Sequence, residues 1–392
     1  MTYDFDTVIN RVDTQSVKWD KYSGQDVIPM WVADMDFAMA PEISAALAAR
    51  LAHPVLGYSS ASVQLVEALQ SHLQSVYQWK IDPEWLVWMP GVVAGLAVSV
   101  RAYAQPASDA TAGGPGTVKP RIITNPPIYH HFFRVHDEAR HELVTVPLKR
   151  IQQRWTYDLD AMAEQVCENT RLIMLCSPHN PTGTVFTREE LRRVCELADK
   201  VGAVVVSDEI HCGLVHADGV QHVPTQLCAD ELGMPVVTLM SVSKTFNLAG
   251  LNLSYAIIPD ASLRDRFRAA SAEIISPVGP LAYTAAEAAL VHGEPWRQQL
   301  LAYIRDNQQY LSEQLADIRG MELHPVEATY LAWIDATALG LNDTTAFFER
   351  HGVGFSSGEQ FGQPQYLRMN LACPRATLEN ALTRIRDAVA TL

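Results

Sequence analysis

The sequence predicts an α/β fold: a large domain on a mostly parallel sheet flanked by helices, with a smaller α+β domain beside it. Three observations point there. The chain has 392 residues, beyond the length at which a single hydrophobic core stops growing. From residue 121, short β-branched runs alternate with helix-like stretches, the pattern of a sheet covered on both faces. From Pro295 the chain changes to one long helical pattern followed by shorter strands.

Taken in order, Leu65, Leu69, Leu73 and Val76 recur at helical spacing, so residues 61–79 form an amphipathic helix. Met89-Pro90-Gly91-Val92-Val93 opens an apolar helix, and the small residues, glycines and proline of 107–116 mark an exposed loop. Arg121–Thr124 is an apolar run ending in Asn125-Pro126-Pro127, and Leu172–Cys176 ends in Ser177-Pro178-His179-Asn180-Pro181-Thr182-Gly183. Thr187, with Glu190 three residues on, makes a capping box for the helix that follows. Ala203–Val206 then ends in Ser207-Asp208-Glu209, and Val236–Met240 in Ser241-Val242-Ser243-Lys244. Beyond Pro295, a helix to about Ile318, a strand at Tyr330–Ile334 and a closing helix near 376–390 complete the chain. The expected division is a large domain over 50–290 and a small one from 1–49 and 291–392.

Composition narrows the class. A hydrophobic fraction of 48% and a charged fraction of 19% are those of an ordinary globular protein. A net charge of −14 argues against electrostatic binding of nucleic acid. No run reaches the length of a membrane span, and the first residues lack the pattern of a secretory leader. The six cysteines form no C-x-x-C pair and several lie in apolar runs, which suits reduced thiols in the cytoplasm. His130, His131, His136 and His141 crowd one region without any zinc spacing, so no metal is expected.

Three strand ends carry the chemistry. Ligands of an open parallel sheet gather beyond the carboxyl ends of its strands, and Asn180, Asp208 and Lys244 each follow such an end. Each residue alone is ordinary turn chemistry. Together they suit pyridoxal 5'-phosphate. The Lys244 amine condenses with the cofactor aldehyde, and Asp208 keeps the pyridine nitrogen protonated so that the ring accepts electrons. Asn180 donates to the phenolic oxygen. Tyr129 either stacks on the ring or bonds that oxygen through its hydroxyl. For the phosphate, the helix start at Gly91, Val92 and Val93 offers free amides, and Ser241 and Ser243 offer hydroxyls. His211 either supports Asp208 from behind or is a packed structural histidine.

These motifs resemble the fold-type I aminotransferase superfamily: Ser177–Gly183, Ser207-Asp208-Glu209-Ile210-His211 and Ser241–Asn247. More narrowly, Pro29–Phe37, Gly57-Tyr58, Lys244–Gly250 and Arg368–Pro374 are similar to the MalY/PatB-type cystathionine β-lyases, from about Phe5 to the C-terminus. The resemblance implies a homodimer with a shared active site, in which Tyr58 reaches the phosphate of the neighbouring subunit. It also implies that Arg368 binds the substrate α-carboxylate, and that Trp31 and Ala33 line the entrance. In the broad aminotransferase pattern an arginine stands eight residues after the cofactor lysine; here that position is Asn252. That departure favours the lyase branch.

The expected activity is therefore C–S β-lyase chemistry. Neutral Lys244 removes the Cα proton of L-cystathionine or a related cysteine S-conjugate, the thiolate leaves Cβ, and pyruvate and ammonia follow by hydrolysis. The alternatives are a class I/II aminotransferase, and a protein that binds a transcriptional regulator while keeping the lyase fold.

Overall fold

The computed structural model describes residues 2–105, 118–272 and 274–392; the expected loop at 107–116 lies outside the described residues. The apolar runs form one seven-stranded sheet. Its strands are β1 (Leu86–Met89), β2 (Arg121–Thr124), β3 (Glu142–Thr145), β4 (Thr170–Cys176), β5 (Val204–Asp208), β6 (Val236–Met240) and β7 (Ser254–Ile257). They lie in the order β1-β7-β6-β5-β4-β2-β3. From β3 to β6 every pairing is parallel, and Asp208 sits opposite both Cys176 and Leu239. Strand β7 runs antiparallel to both its neighbours. An antiparallel return needs no crossover helix, so Ser241–Leu253 remains a loop at the carboxyl end of β6, and that loop carries Lys244.

Among the helices around this sheet and the C-terminal part are α1 (Pro41–Leu51), α2 (Val63–Tyr77), α3 (Val92–Tyr103), α4 (His131–Arg134), α5 (Arg188–Asp199), α6 (Pro280–His292), α7 (Glu294–Ala316) and α8 (Arg375–Val389). Helix α2 buries Leu65, Leu69 and Leu73 as predicted, but Val76 is exposed and Tyr77, one residue on and a full four-residue step from Leu73, is buried instead; Ser62 accepts the Leu65 amide as its cap. The capping box of Thr187 and Glu190 starts α5. Helix α3 covers one face of the sheet, packing Val92 and Leu96 with Met174, Val206 and Leu239. Gly95 allows that approach: a Cβ there would stand 2.7 Å from Met89 Sδ and 3.1 Å from a Leu239 methyl. The opposite face packs Leu191 and Val194 of α5 against Ile173, Val205 and Val236.

The C-terminal sheet comprises β8 (Glu322–Leu323), β9 (Leu331–Asp335), β10 (Ser356–Ser357) and β11 (Tyr366–Asn370), in the order β8-β9-β11-β10 with every pairing antiparallel. Helix α7 is long enough to serve two cores. Its Trp296, Leu300 and Ile304 pack with α2, whereas Leu311 and Leu315 pack with Ile334, Leu367 and Leu382.

The N-terminal segment crosses between the same two cores. Ile28 and Met30 belong to the C-terminal core, while Met35, Phe37 and Ile43 belong to that of α2 and α6. A buried ion cluster holds the crossing. Asp36, 4% exposed, receives Lys18 Nζ at 2.6 Å, Arg11 at 2.7 Å and Trp19 Nε1 at 2.9 Å, and Arg11 also pairs with Asp34 at 2.7 Å. Among the described residues no helix is long and apolar enough to cross a membrane, and no cluster of His, Cys, Asp and Glu could hold a metal ion.

Removing Lys18 leaves the buried Asp36 with Arg11 as its remaining cation and one oxygen short of its partner. Lys18→Met is expected to lower the unfolding free energy by about 2 kcal/mol. The check is a urea titration in which the midpoint falls and the slope is retained.

Candidate active site

Strands β4, β5 and β6 are parallel neighbours, so the segments beyond their carboxyl ends lie side by side. Those segments present Asn180, Asp208 and Lys244 to one cavity of about 410 Å³, a volume suited to a small cofactor and its substrate. Gly91, Val92, Val93, Tyr129, Ser241, Ser243 and Arg368 line the same cavity, as do Trp31, Ala33, His211 and Asn252. Tyr58 does not. It lies between α1 and α2, 98% exposed, beside exposed Val55 and Leu56. Val32, His130, Ile210, Ser356 and Gln360 are also part of the lining. No local pattern marks Ser356, which enters the site because β10 pairs with β11 and sets it opposite Arg368.

The charged groups sit in unusual settings. Asp208 is 4% exposed, and its Oδ1 accepts the Ile210 amide at 3.1 Å. Among the described residues no cation pairs with it, and burial, reinforced by the charge of Glu209, pushes its carboxyl up to about 7. Glu209 itself is committed elsewhere: it takes His222 Nε2 at 2.7 Å, and Ser207 Oγ and the Thr225 amide at 2.9 Å each. Of the two adjacent acids, only Asp208 faces the cavity. Burial and the charge of Arg368 push the Lys244 ammonium down to about 8, and its Nζ donates to the Ala33 carbonyl at 2.7 Å.

Arg368 is 5% exposed and has no carboxylate partner among the described residues; burial lowers it to about 10. It donates to Asn180 Oδ1 at 3.0 Å, Trp31 O at 2.9 Å and Ser356 Oγ at 3.1 Å, and its guanidinium lies 4.7 Å from the Phe361 ring centre. A buried guanidinium held only by neutral acceptors is a site for an anion. Since Asn180 Oδ1 serves Arg368, its Nδ2 remains the free donor.

At the opposite end, α3 starts at Gly91 without a side-chain cap, so its first amides are open to an anion. A Cβ on Gly91 would meet nothing within 4 Å, so that wall leaves room for a group to approach the backbone. Ser241 Oγ lies 2.6 Å from Leu253 O and 2.8 Å from Ser243 Oγ, which fixes the hydroxyl pair beneath the same end. His211 makes no hydrogen bond to Asp208. It is 2% exposed and lines the cavity, and burial, with Lys244 and Arg368 nearby, pushes it down to about 3.

The N-terminal wall is fixed through its backbone. Ser356 and Arg368 donate to Trp31 O, Asn370 Nδ2 to Val32 O and Asp34 O, and Lys244 and Tyr330 to Ala33 O. Arg11 and Asn247 donate to Met35 O, and Asn247 also to Phe37 O.

An α/β fold with a depressed lysine, a raised acid and an uncompensated arginine in one cavity at the strand ends is that of an enzyme acting on small anionic substrates. The chain belongs to the class I and II aminotransferase family, whose model matches residues 25–385. It is 33% identical to the cystathionine β-lyase PatB of Bacillus subtilis (strain 168), over 98% of this chain and 99% of that protein. The crystal structure of OvoB superposes with a TM-score of 0.92 at 40% identity, covering 100% of both chains. The PLP-bound C–S lyase from Staphylococcus hominis gives a TM-score of 0.89 at 30% identity, over 99% of this chain and 98% of that one.

The raised acid makes stability depend on pH. Folding takes up a proton on Asp208 between its ordinary 3.8 and about 7, so the cofactor-free protein loses stability as pH rises through that window and levels off above it. Asp208→Asn removes the buried charge. The variant is expected to be more stable than the parent by a few kcal/mol at pH 8, with the difference shrinking towards pH 4. Thermal unfolding of both cofactor-free proteins across that range checks it.

Proposed function

We propose that this chain is a pyridoxal-phosphate-dependent C–S β-lyase that cleaves cysteine S-conjugates such as L-cystathionine to a thiol, pyruvate and ammonia. The observation that carries the reading is the convergence of Lys244, Asp208 and Arg368 in one cavity, each buried away from an ordinary partner.

The residues fit the cofactor at each of its polar groups. Asp208 is a buried acid that lacks a cation, the partner a protonated ring nitrogen would supply. Asn180 Nδ2 is left to donate to the phenolic oxygen, and Tyr129 contacts the ring. The uncapped start of α3 at Gly91, Val92 and Val93, with Ser241 and Ser243, takes the phosphate. The Lys244 amine holds the aldehyde. When bound, the cofactor supplies an electron sink for the pair left on Cα.

The chain's own residues do the rest. Arg368 clamps the α-carboxylate and so orients the Cα–H bond towards Lys244. Lys244, held near 8 by burial and by Arg368, is an amine able to take that proton close to neutral pH. Asp208 keeps the proton on the ring nitrogen in place. Trp31, Val32 and Ala33 form the N-terminal wall of the same cavity. Asn252 stands at the position where an aminotransferase places its phosphate-clamping arginine, which supports elimination over amino transfer.

A homodimer completes the site. Tyr58, almost fully exposed among Leu51, Val55, Leu56 and Val63, supports a subunit contact in which its hydroxyl reaches the partner's phosphate.

The purified protein with L-cystathionine and no added 2-oxo acid is expected to release thiol and pyruvate catalytically; turnover that requires a 2-oxo acid would make it an aminotransferase instead. Lys244→Ala is expected to lose the yellow colour of the bound cofactor and at least ~10³-fold in rate. Arg368→Lys keeps the charge but not the fork, so KM is expected to rise about 10- to 100-fold with a smaller change in kcat, read from steady-state kinetics.

A further inference from the structure

The acids at the end of β5 are consecutive, and the proposed chemistry uses only Asp208. Side chains alternate across a strand, so Asp208 turns into the cavity while Ser207 and Glu209 turn away from it together. Glu209 is completely buried, and among the described residues no Lys or Arg pairs with it. Its carboxyl is held by donors alone. His222 Nε2 reaches one oxygen at 2.7 Å, and Ser207 Oγ and the Thr225 amide reach the other at 2.9 Å each. A carboxylate accepts at both oxygens and donates at neither, which is how this group is used.

His222 is itself buried and leaves Nδ1 without a partner. A proton there would meet no acceptor among the described residues, so the ring serves Glu209 as a neutral donor.

The surroundings add no compensating charge. Tyr157, Cys195, Cys212, Cys228 and Tyr255 face Glu209, and burial pushes each of them up, so they are uncharged at neutral pH. Tyr77, whose ring meets that of His222 edge-on at 5.5 Å, is pushed up likewise. Arg297 acts on Cys212 and Tyr77, but it is spent on Glu294 at 2.7 Å and on Gly213 O at 2.9 Å. On the cavity side Asp208 faces Lys244, with Tyr129 and Cys176, both pushed up by burial. Glu209 is thus a fixed charge stabilised by dipoles, and it adjoins the acid that meets the cofactor.

We propose that Glu209 is a positioning residue whose charge, acting through Asp208, keeps a proton at the contact between Asp208 and the cofactor's ring nitrogen. Two buried carboxyl groups then hold the pyridine cationic. Asp208 touches it, and Glu209 adds a field from the far side of the strand that water does not screen. The inference rests on the cofactor reading of the main cavity.

The test uses holoenzyme reconstituted with pyridoxal phosphate isotopically labelled at the ring nitrogen, whose NMR shift is followed as pH rises. Glu209→Gln keeps an acceptor for Ser207 and Thr225, and its amide can donate to His222 once that ring moves its proton to the free Nδ1. His222→Gln keeps both a donor and the charge of Glu209. The pH at which the nitrogen loses its proton is expected to fall by about one unit in Glu209→Gln, a tenfold weaker hold, and to stay within about 0.3 unit of the parent in His222→Gln. Equal profiles in the parent and Glu209→Gln, or equal shifts in the two variants, would make Glu209 a packing group and overturn the inference. Should Glu209→Gln not fold, His222→Phe, which strips one donor from the carboxylate, takes its place; a fall in the same direction is expected, and its absence overturns the inference. If the parent takes up none of the labelled cofactor, the cofactor reading fails and this inference with it.

Discussion

Everything in this molecule's chemistry depends on withholding water from a carboxyl group and an amine on two adjacent strand ends. In water Asp208 would be a carboxylate and Lys244 an ammonium, fixed in those states across the neutral range. Burial moves the acid up to about 7 and the amine down to about 8, so both change state close to the pH at which the protein would work. Parallel pairing of β4, β5 and β6 puts them there, and the packing of α3 on one face and α5 on the other keeps the strand interiors dry.

Arg368 is the third term and comes from the other sheet. Its guanidinium adds to the pressure on the Lys244 proton, so the group proposed to bind the carboxylate also favours the neutral form of the proposed base. A carboxylate arriving at Arg368 would compensate the arginine and reduce that pressure. Substrate binding and the proton affinity of the lysine are in this way coupled through one side chain.

The sequence made the strand ends legible because they are local. β-Branched runs stop at Pro, Gly, Ser and Asp clusters, and the order Asn180, Asp208, Lys244 follows from reading those stops along the chain. The capping box at Thr187 and the spacing of Leu65, Leu69 and Leu73 are local in the same sense. The N-terminal wall is different. Residues 31–37 are held by Asn247, Tyr330, Arg368 and Asn370, more than two hundred positions away, and no window of sequence contains both halves of such a contact. Ser356 and Gln360 escape for the same reason. His211 is subtler: its position after Asp208-Glu209-Ile210 is plain, but its turn into the cavity rather than behind Asp208 depends on how the chain leaves β5. The choice of Asp208 over Glu209 is readable from the order of the strand ends; its physical cause, the partners that Glu209 finds in His222 and Thr225, is not.

The backbone mode of fixing residues 31–37 has an evolutionary corollary. Carbonyl oxygens are common to all twenty residue types, so the clasp places no demand on the identity of Val32 or Ala33, whereas Trp31 is also tied by its side chain, whose Nε1 donates to Lys18 O at 3.0 Å. The side chains of Val32 and Ala33 can drift, and be recruited for new ligands, while the strap that bears them stays in register. A scaffold of this kind can diversify its substrates by rewriting two letters, without renegotiating its architecture.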